Sequence, residues 1–324
     1  MSNIPVKILD DIADAIHERD NIYIASHIQP DGDNIGSILA MGLALLELNK
    51  NVFVLKSDII PSDYLFLPGI EIIKEYKEIT DLDLFIILDC SDIDRLGINK
   101  NLINKANFVI NIDHHVTNTN FGDLNFVDSK AAATGELVFR IIEKLNIKFT
   151  KEIATNLYTA ISTDTGSFKY ESVTDKTHEI IAKLLRCGID HSYINNKLYH
   201  SRSLERTNLL IESFLTLNTL ADNKAAIVKV TQKMLNRTKT KMEDTEGIIS
   251  FVRDIDSVEV ACLLKEIDDK ETKVSLRSKS YIDVAKICEP FNGGGHIRAA
   301  GCTIYEDIGT SEKLISNILT EVFR

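Results

Sequence analysis

The stretch Ile22–Ser37, IYIASHIQPDGDNIGS, decides how this chain is read. Its apolar opening, IYIA, reads as a buried strand. From Ile35 to Leu48 the apolar residues recur at helical spacing. Between strand and helix lie His27, Asp31 and Asp33, three groups that prefer water or one another. Pro30 bends the chain and Gly32 separates the two aspartates. An Asx-type turn in which Asp33 or Asn34 caps the helix accounts for this pattern. A bound cation accounts for it equally well on this segment alone.

Outward from that stretch, further β-branched apolar runs fall at Asn51–Leu55, Leu84–Leu88 and Phe108–Ile112. Helical patterns fall at Thr134–Leu145, Glu152–Ser162 and Lys176–Cys187. Strands alternating with crossover helices imply an α/β domain, a mostly parallel sheet with helices on both faces. Ligands of such sheets bind outside the carboxyl ends of the strands. The expected division is a larger α/β domain over 1–190, a helical linker over 191–218 and a smaller C-terminal α/β domain over 219–324. In the last, KAAIVKV, SVEVACLLKEI and ETKVSLRS read as strands, with helices around Gly247–Arg253 and Asp283–Cys288.

Composition narrows the function classes. At 324 residues, 44% hydrophobic and 26% charged, the chain has the balance of a soluble globular protein. No apolar run approaches the ~18–20 residues of a membrane span, and the acidic, amphipathic N-terminus does not read as a signal peptide. Cys90, Cys187, Cys262, Cys288 and Cys302 are odd in number and never spaced as CxxC. They are expected as free thiols in a reducing cytoplasm. A net charge of −11 opposes a stable complex with long nucleic acid. It leaves small anionic substrates open, provided that metals or a few arginines set the local charge.

Four constellations share one chemistry. Besides His27, Asp31 and Asp33, the strand LFIILDCSD ends in Asp89, and FVINIDHHVTN ends in Asp113, His114 and His115. The helical pattern AISTDTGSF ends at Asp164. A carboxylate at the end of a buried strand needs a partner. Mixed imidazole and carboxylate donors suit Mn²⁺ or a similar divalent ion, and there are too many for one. Two divalent ions are therefore expected, Mn²⁺ first, with Mg²⁺ or Co²⁺ as alternatives. A fifth constellation, FNGGGHIRAAGC, reads as a glycine-rich turn leading into a helix. Gly293, Gly294 and Gly295 would let the backbone approach an anion, and His296 and Arg298 would donate to it. Arg277, in KVSLRS, is expected on an outward strand face, where it could clamp a phosphate.

In this order, HIQPDGD, LDCSD, IDHH and STDTGSF resemble the four motifs of the DHH phosphoesterase superfamily. GGGHIRAAG is similar to the glycine signature of its DHH-associated C-terminal domain. The resemblance covers nearly the whole chain, and the size and two-domain plan are most similar to the NrnA-type enzymes. It implies that His27, Asp31 and Asp89 hold one metal and that Asp33, Asp89, His114 and Asp164 hold the other, with Asp89 bridging. It also implies that His115 faces the substrate phosphate and that Arg277 and His296 grip the substrate. Asp113 then orients a histidine. The implied activity is hydrolysis of short oligoribonucleotides from one end, and removal of the 3′-phosphate of 3′-phosphoadenosine-5′-phosphate (pAp). Cyclic or linear dinucleotide hydrolysis and non-catalytic nucleotide binding are the rival readings. Partners are expected to be short oligonucleotides and small phosphorylated nucleotides. No membrane is expected among them, and a homodimer is left open.

Overall fold

The computed structural model describes residues 6–76, 79 and 81–324. They form two compact units, Met1–Ser201 and Arg202–Arg324.

The first unit contains strands β1 (Asn21–Ala25), β2 (Asn51–Leu55), β3 (Ile73–Lys74), β4 (Leu84–Leu88), β5 (Val109–Asp113) and β6 (Leu124–Val127). Its helices are α1 (Val6–His17), α2 (Gly32–Glu47), α3 (Thr134–Lys144), α4 (Lys151–Asp164), α5 (Asp175–Arg186) and α6 (His191–Tyr199). The strands form one six-stranded sheet in the order β3-β2-β1-β4-β5-β6, every pair parallel. Central strands are apolar on both sides, as a parallel sheet requires. Ile22, Ile24, Leu84, Ile86 and Ile112 pack with Ile12, Leu39, Leu137 and Leu157 of the helical layer. On the opposite face, Tyr23, Phe85, Ile87 and Val109 meet Leu96 and Leu102. Those two belong to a 3-10 segment, Ile93–Leu102, which makes the crossover between β4 and β5. The edge strands β3 and β6 were not evident in the sequence. The first has two residues and the second mixes polar and apolar positions.

Strand order reverses between β1 and β4, which opens a crevice at their carboxyl ends. Helix α2 lies close against α4 because Gly36 has no side chain. A Cβ there would sit 2.5 Å from the backbone oxygen of Asn156 and 2.9 Å from the Ala160 Cβ.

The second unit contains α7 (Leu204–Phe214), β7 (Asn218–Leu220), β8 (Ala225–Val230), α8 (Gln232–Thr238), α9 (Ile248–Arg253) and β9 (Val260–Asp268). It continues with β10 (Glu271–Ser278), α10 (Val284–Cys288), β11 (Gly294–His296), β12 (Ala299–Ile304) and α11 (Ile308–Val322). Its sheet has the order β11-β12-β10-β9-β8-β7, antiparallel except between β8 and β9. One face packs on α10 and α11 through Val260, Cys262, Val274, Leu276, Val284 and Ile315. The other packs on α7, α8 and α9 through Val228, Ala261, Leu263, Leu209, Leu235 and Val252.

The glycine stretch corrects one expectation. Residues 293–302 do not turn into a helix; they form the hairpin of β11 and β12, with Gly294 opposite Gly301 and His296 opposite Ala299. The period-two burial of Ala300, Cys302 and Ile304 outweighs the apparent loop. Gly295, at φ +146°, takes a backbone that side chains rarely adopt. The stretch expected as a linker, 191–218, is helical but divided. Helix α6 packs with the first unit, where Tyr199 bonds Ser162 at 2.8 Å, and α7 supplies Leu209 to the second unit's core.

Alanine normally favours a helix over glycine by about 1 kcal/mol. At Gly36 the opposite sign is expected. Gly36→Ala should lose about 1–3 kcal/mol in urea denaturation, because the facing contact is backbone and cannot withdraw.

Candidate metal centre

Three strand ends and one helix end meet at the crevice. Strand β1 stops at Ala25, and Ser26 and His27 follow it, still buried. The loop is held down where the Ile28 N–H donates to the Arg95 carbonyl at 2.7 Å. Asp31 is the N-cap of α2 and accepts from the Asn34 N–H at 3.0 Å. The expected cap was Asp33 or Asn34; the helix starts three residues earlier than its apolar pattern, so Asp33 lies inside its first turn. Gly32 lets that turn approach α4, since a Cβ there would meet the Thr163 side chain at 2.3–2.7 Å. Thr163 immediately precedes Asp164, the last residue of α4.

Asp33 is 1% exposed and accepts from the Thr134 N–H at 2.6 Å, the Gly135 N–H at 2.9 Å and the Ser37 hydroxyl at 3.0 Å. The two amides are the free N–H groups at the start of α3, a favourable place for negative charge. Asp89 follows β4 in the left-handed region, φ +54°, and is 2% exposed. Non-glycine residues hold such a conformation at a cost and tend to do so at functional sites. Its carboxylate accepts from the Thr134 hydroxyl at 2.9 Å and meets His27 Nε2 at 3.2 Å.

His114 Nε2 lies 3.4 Å from Asp164, 3.7 Å from Asp89 and 3.9 Å from Asp33. His115 Nδ1 is 2.7 Å from Asp113 and 3.6 Å from Asp89. Asp113 is wholly buried, and its other oxygen accepts from the Asn118 amide at 2.6 Å.

So many buried charges distort one another. Burial, then the neighbouring Asp89, Asp164 and Asp31 carboxylates, raises Asp33 well above the usual carboxylate range. Burial and Asp89 raise Asp31. Burial pushes Asp164 up to about 7, against the pull of His114. Asp89 moves the other way. Burial opposes its charge, but the His27 hydrogen bond and the three imidazoles outweigh burial and lower it. Burial likewise works against charged His115, yet the Asp113 hydrogen bond raises it to about 9. His27 is raised by Asp89 in the same manner.

Protons hold together a set of acids that repel one another, and divalent cations would do so better. Three sets bring their ligand atoms within 4.8 Å of one another: His27 with Asp31 and Asp89, Asp33 with His114 and Asp164, and Asp89 with His114 and His115. Asp89 belongs to two of them, and the donors are imidazole and carboxylate throughout, so the residues fit divalent ions.

The other residues singled out in the sequence belong to the second unit. Arg277 lies half-buried on β10, donating to its neighbour's carbonyl, that of Leu276, at 3.0 Å. Gly294, Gly295 and His296 are exposed on β11, and Gly293 is half-buried against Cys302. Arg298 is exposed and donates to the Ile282 carbonyl at 2.8 Å, which ties the hairpin to the start of α10. Thr134, Gly135 and Asn118 were missed. Thr134 and Gly135 hold Asp33 and Asp89 across long stretches of chain, Asn118 holds Asp113 from nearby, and a threonine-glycine pair opening a helix was the one available sign.

This fold and this cluster define a two-domain protein whose grouped acids and imidazoles could hold metal, and the chain belongs to the DHH family. Residues 21–161 match the DHH family, N-terminal domain, and residues 222–323 match the DHHA1 domain. The chain is 32% identical over 288 residues to the bifunctional oligoribonuclease and PAP phosphatase NrnA of Thermus thermophilus, covering 87% of this chain and 84% of that one. The crystal structure of an exopolyphosphatase-related protein from Bacteroides fragilis superposes with a TM-score of 0.92 at 28% identity, over 100% of this chain and 99% of that one. RecJ from Thermus thermophilus, solved in complex with Mn²⁺, shares the fold at a TM-score of 0.56 and 14% identity, over 100% of this chain and 56% of that one. Among the described residues, no helix is long and apolar enough to cross a membrane.

The raised groups give a signed pH dependence. A buried acid with a raised pKa favours the folded state below its ordinary pKa, and that advantage is lost as pH rises through the raised value. Asp164 loses it up to about 7, and His115, charged in the fold, loses its own up to about 9. The melting temperature of metal-free protein should therefore fall from pH 6 to pH 9. The gain on adding Mn²⁺ should grow over the same range. A differential scanning fluorimetry series with and without EDTA checks both slopes.

Proposed function

We propose that the chain is a two-metal phosphoesterase that shortens small RNA oligonucleotides from one end to mononucleotides and removes the 3′-phosphate of pAp. The observation that carries the reading is Asp89, one buried carboxylate common to two ligand sets at the switch point of the sheet. Membership of the DHH family and likeness to NrnA proteins support the substrate class. His27, Asp31 and Asp89 would hold one ion; Asp33, Asp89, His114 and Asp164 would hold the other. Two bound divalent ions, Mn²⁺ in our reading, supply an activated water and polarise the phosphate oxygens.

The chain's own residues do the rest. Thr134 and Gly135 fix the Asp33 and Asp89 oxygens, so the ligands are oriented before any ion or substrate arrives. Asn118 fixes Asp113, and Asp113 takes His115 Nδ1. The other ring nitrogen, Nε2, would donate a proton to the leaving oxygen or stabilise the phosphoryl charge. Asp113 favours the protonated ring, the form that can donate. Arg277, Gly293, Gly294, Gly295, His296 and Arg298 are assigned to the substrate's phosphates and base, and the units 1–190 and 219–324 to catalysis and binding. Five free cysteines accord with a reducing compartment, and we assign the enzyme to the cytoplasm.

The test supplies Mn²⁺ with pAp, 5′-phosphorylated di- to pentaribonucleotides and cyclic di-AMP, with Asp89→Asn as the blank. Phosphate from pAp and mononucleotides from the RNAs are expected, both absent with Asp89→Asn. Turnover confined to cyclic di-AMP would overturn the substrate class. His115→Ala should lower kcat by about 10²–10⁴. It should leave two bound Mn²⁺ per chain by elemental analysis, which separates leaving-group chemistry from metal holding.

A further inference from the structure

The second unit's sheet carries an arrangement of charge that folding alone does not explain. Strands β9 and β10 pair antiparallel with Lys265 directly opposite Lys273 and Leu264 opposite Val274. Leu264 and Val274 enter the core with α10 and α11, so both lysines point to the other face of the sheet. Like charges directly opposite in a strand pair destabilise it. Arg277 is on that same face of β10, four residues beyond Lys273, opposite Ala261 of β9.

Among the described residues, neither lysine makes an ion pair or a hydrogen bond. Lys265 is half-buried, and burial lowers its pKa; the charge of Glu246 works against this, and those of Lys273 and Arg277 add to it. Glu246 is exposed, so its charge is screened by water.

On the β9 side this face is covered where Ala261 and Leu263 pack on α7, α8 and α9, and on the β12 side it is lined by small residues. Ser275 lies between Lys273 and Arg277 in the alternation of β10, and its partner on β12 is Gly301. Lys273 is opposite Thr303, and Arg277 is opposite Ala299. All of these are half-buried or exposed, whereas Val274, Leu276, Ala300 and Cys302 on the reverse face are buried. Three cations thus ring a shallow tray of small side chains. Its hydroxyls can donate, and no carboxylate in it is paired with either lysine.

We propose that this tray binds phosphate, with Lys265 and Lys273 joining Arg277 to hold phosphates of an oligonucleotide other than the one being cleaved. A phosphodiester supplies what the strand pair lacks, a delocalised negative charge that both ammonium groups can share. The proposal rests on the reading of the chain as an oligonucleotide phosphoesterase. It adds the residues that would separate longer substrates from pAp, which has no internucleotide phosphate to offer.

The test uses the full-length Mn²⁺-loaded enzyme with Lys265→Met, Lys273→Thr and the double variant. KM is measured for pAp and for a 5′-phosphorylated tetraribonucleotide across a salt series. In the double variant the ratio of tetranucleotide KM to pAp KM should rise about tenfold or more. The salt dependence of the tetranucleotide KM should become shallower, because fewer phosphate contacts are made. An unchanged ratio and an unchanged slope would overturn the proposal.

Urea denaturation of the same variants guards against a structural explanation. Relief of like-charge repulsion should leave the variants at least as stable as wild type, and a loss of stability in both single variants would make the lysines structural. If wild type cleaves neither substrate, the functional reading fails on its own. Anisotropy of a fluorescein-labelled tetranucleotide then decides the tray: binding weakened in the double variant supports it, and equal binding sinks it.

Discussion

Buried negative charge around Asp89 is the constraint on which the first unit depends. A carboxylate 2% exposed, at a left-handed backbone position, within reach of three imidazoles, is not a group that folding would select for stability. Its surroundings answer it point by point. The Thr134 hydroxyl and His27 take its oxygens, while the amides of Thr134 and Gly135 take those of neighbouring Asp33. Helix α3 therefore begins where it does for an electrostatic reason as much as for a packing one. Gly32 and Gly36 serve the same end by letting α2 lie close to α4, so that Asp33 and Asp164 reach one cluster.

The two units handle charge in opposite ways. In the first, acids are gathered, and their repulsion is held off by protonation, imidazoles and helix amides, which cations could replace. In the second, Lys265 and Lys273 are set against each other on a sheet face. A net charge of −11 says nothing of either arrangement. Both concern a few groups placed against one another by the fold, and both make sense together if the ligand carries phosphates and the cations are metal ions.

Much of the first unit was legible because parallel strands buried on both faces read as plain apolar runs. The places where those runs stop at Asp89, Asp113 and His114 are abrupt. Strands β3 and β6 were illegible for the converse reason: edge strands need few apolar residues, so two to four residues of mixed character carry no pattern. The hairpin of β11 and β12 was misread as a turn into a helix. Three glycines dominate a local reading, whereas the alternation of Ala300, Cys302 and Ile304 gains meaning only when β10 lies beside it.

The sequence by itself determined which imidazoles and carboxylates stand at strand ends, the groups that could hold cations. It also determined the alternation of strands and helices that brings those ends to one sheet edge. Only the tertiary structure decided which acid caps α2, which amides take Asp33, and that Asn118 holds Asp113. It alone turned Lys265 and Lys273 away from the core with α10 and α11. Hydrogen bonds between residues 101 and 102 apart follow from how layers pack, and no local window of the chain contains that information. The hairpin register of β9 and β10 is local, but which face it turns to the core is settled only by α10 and α11.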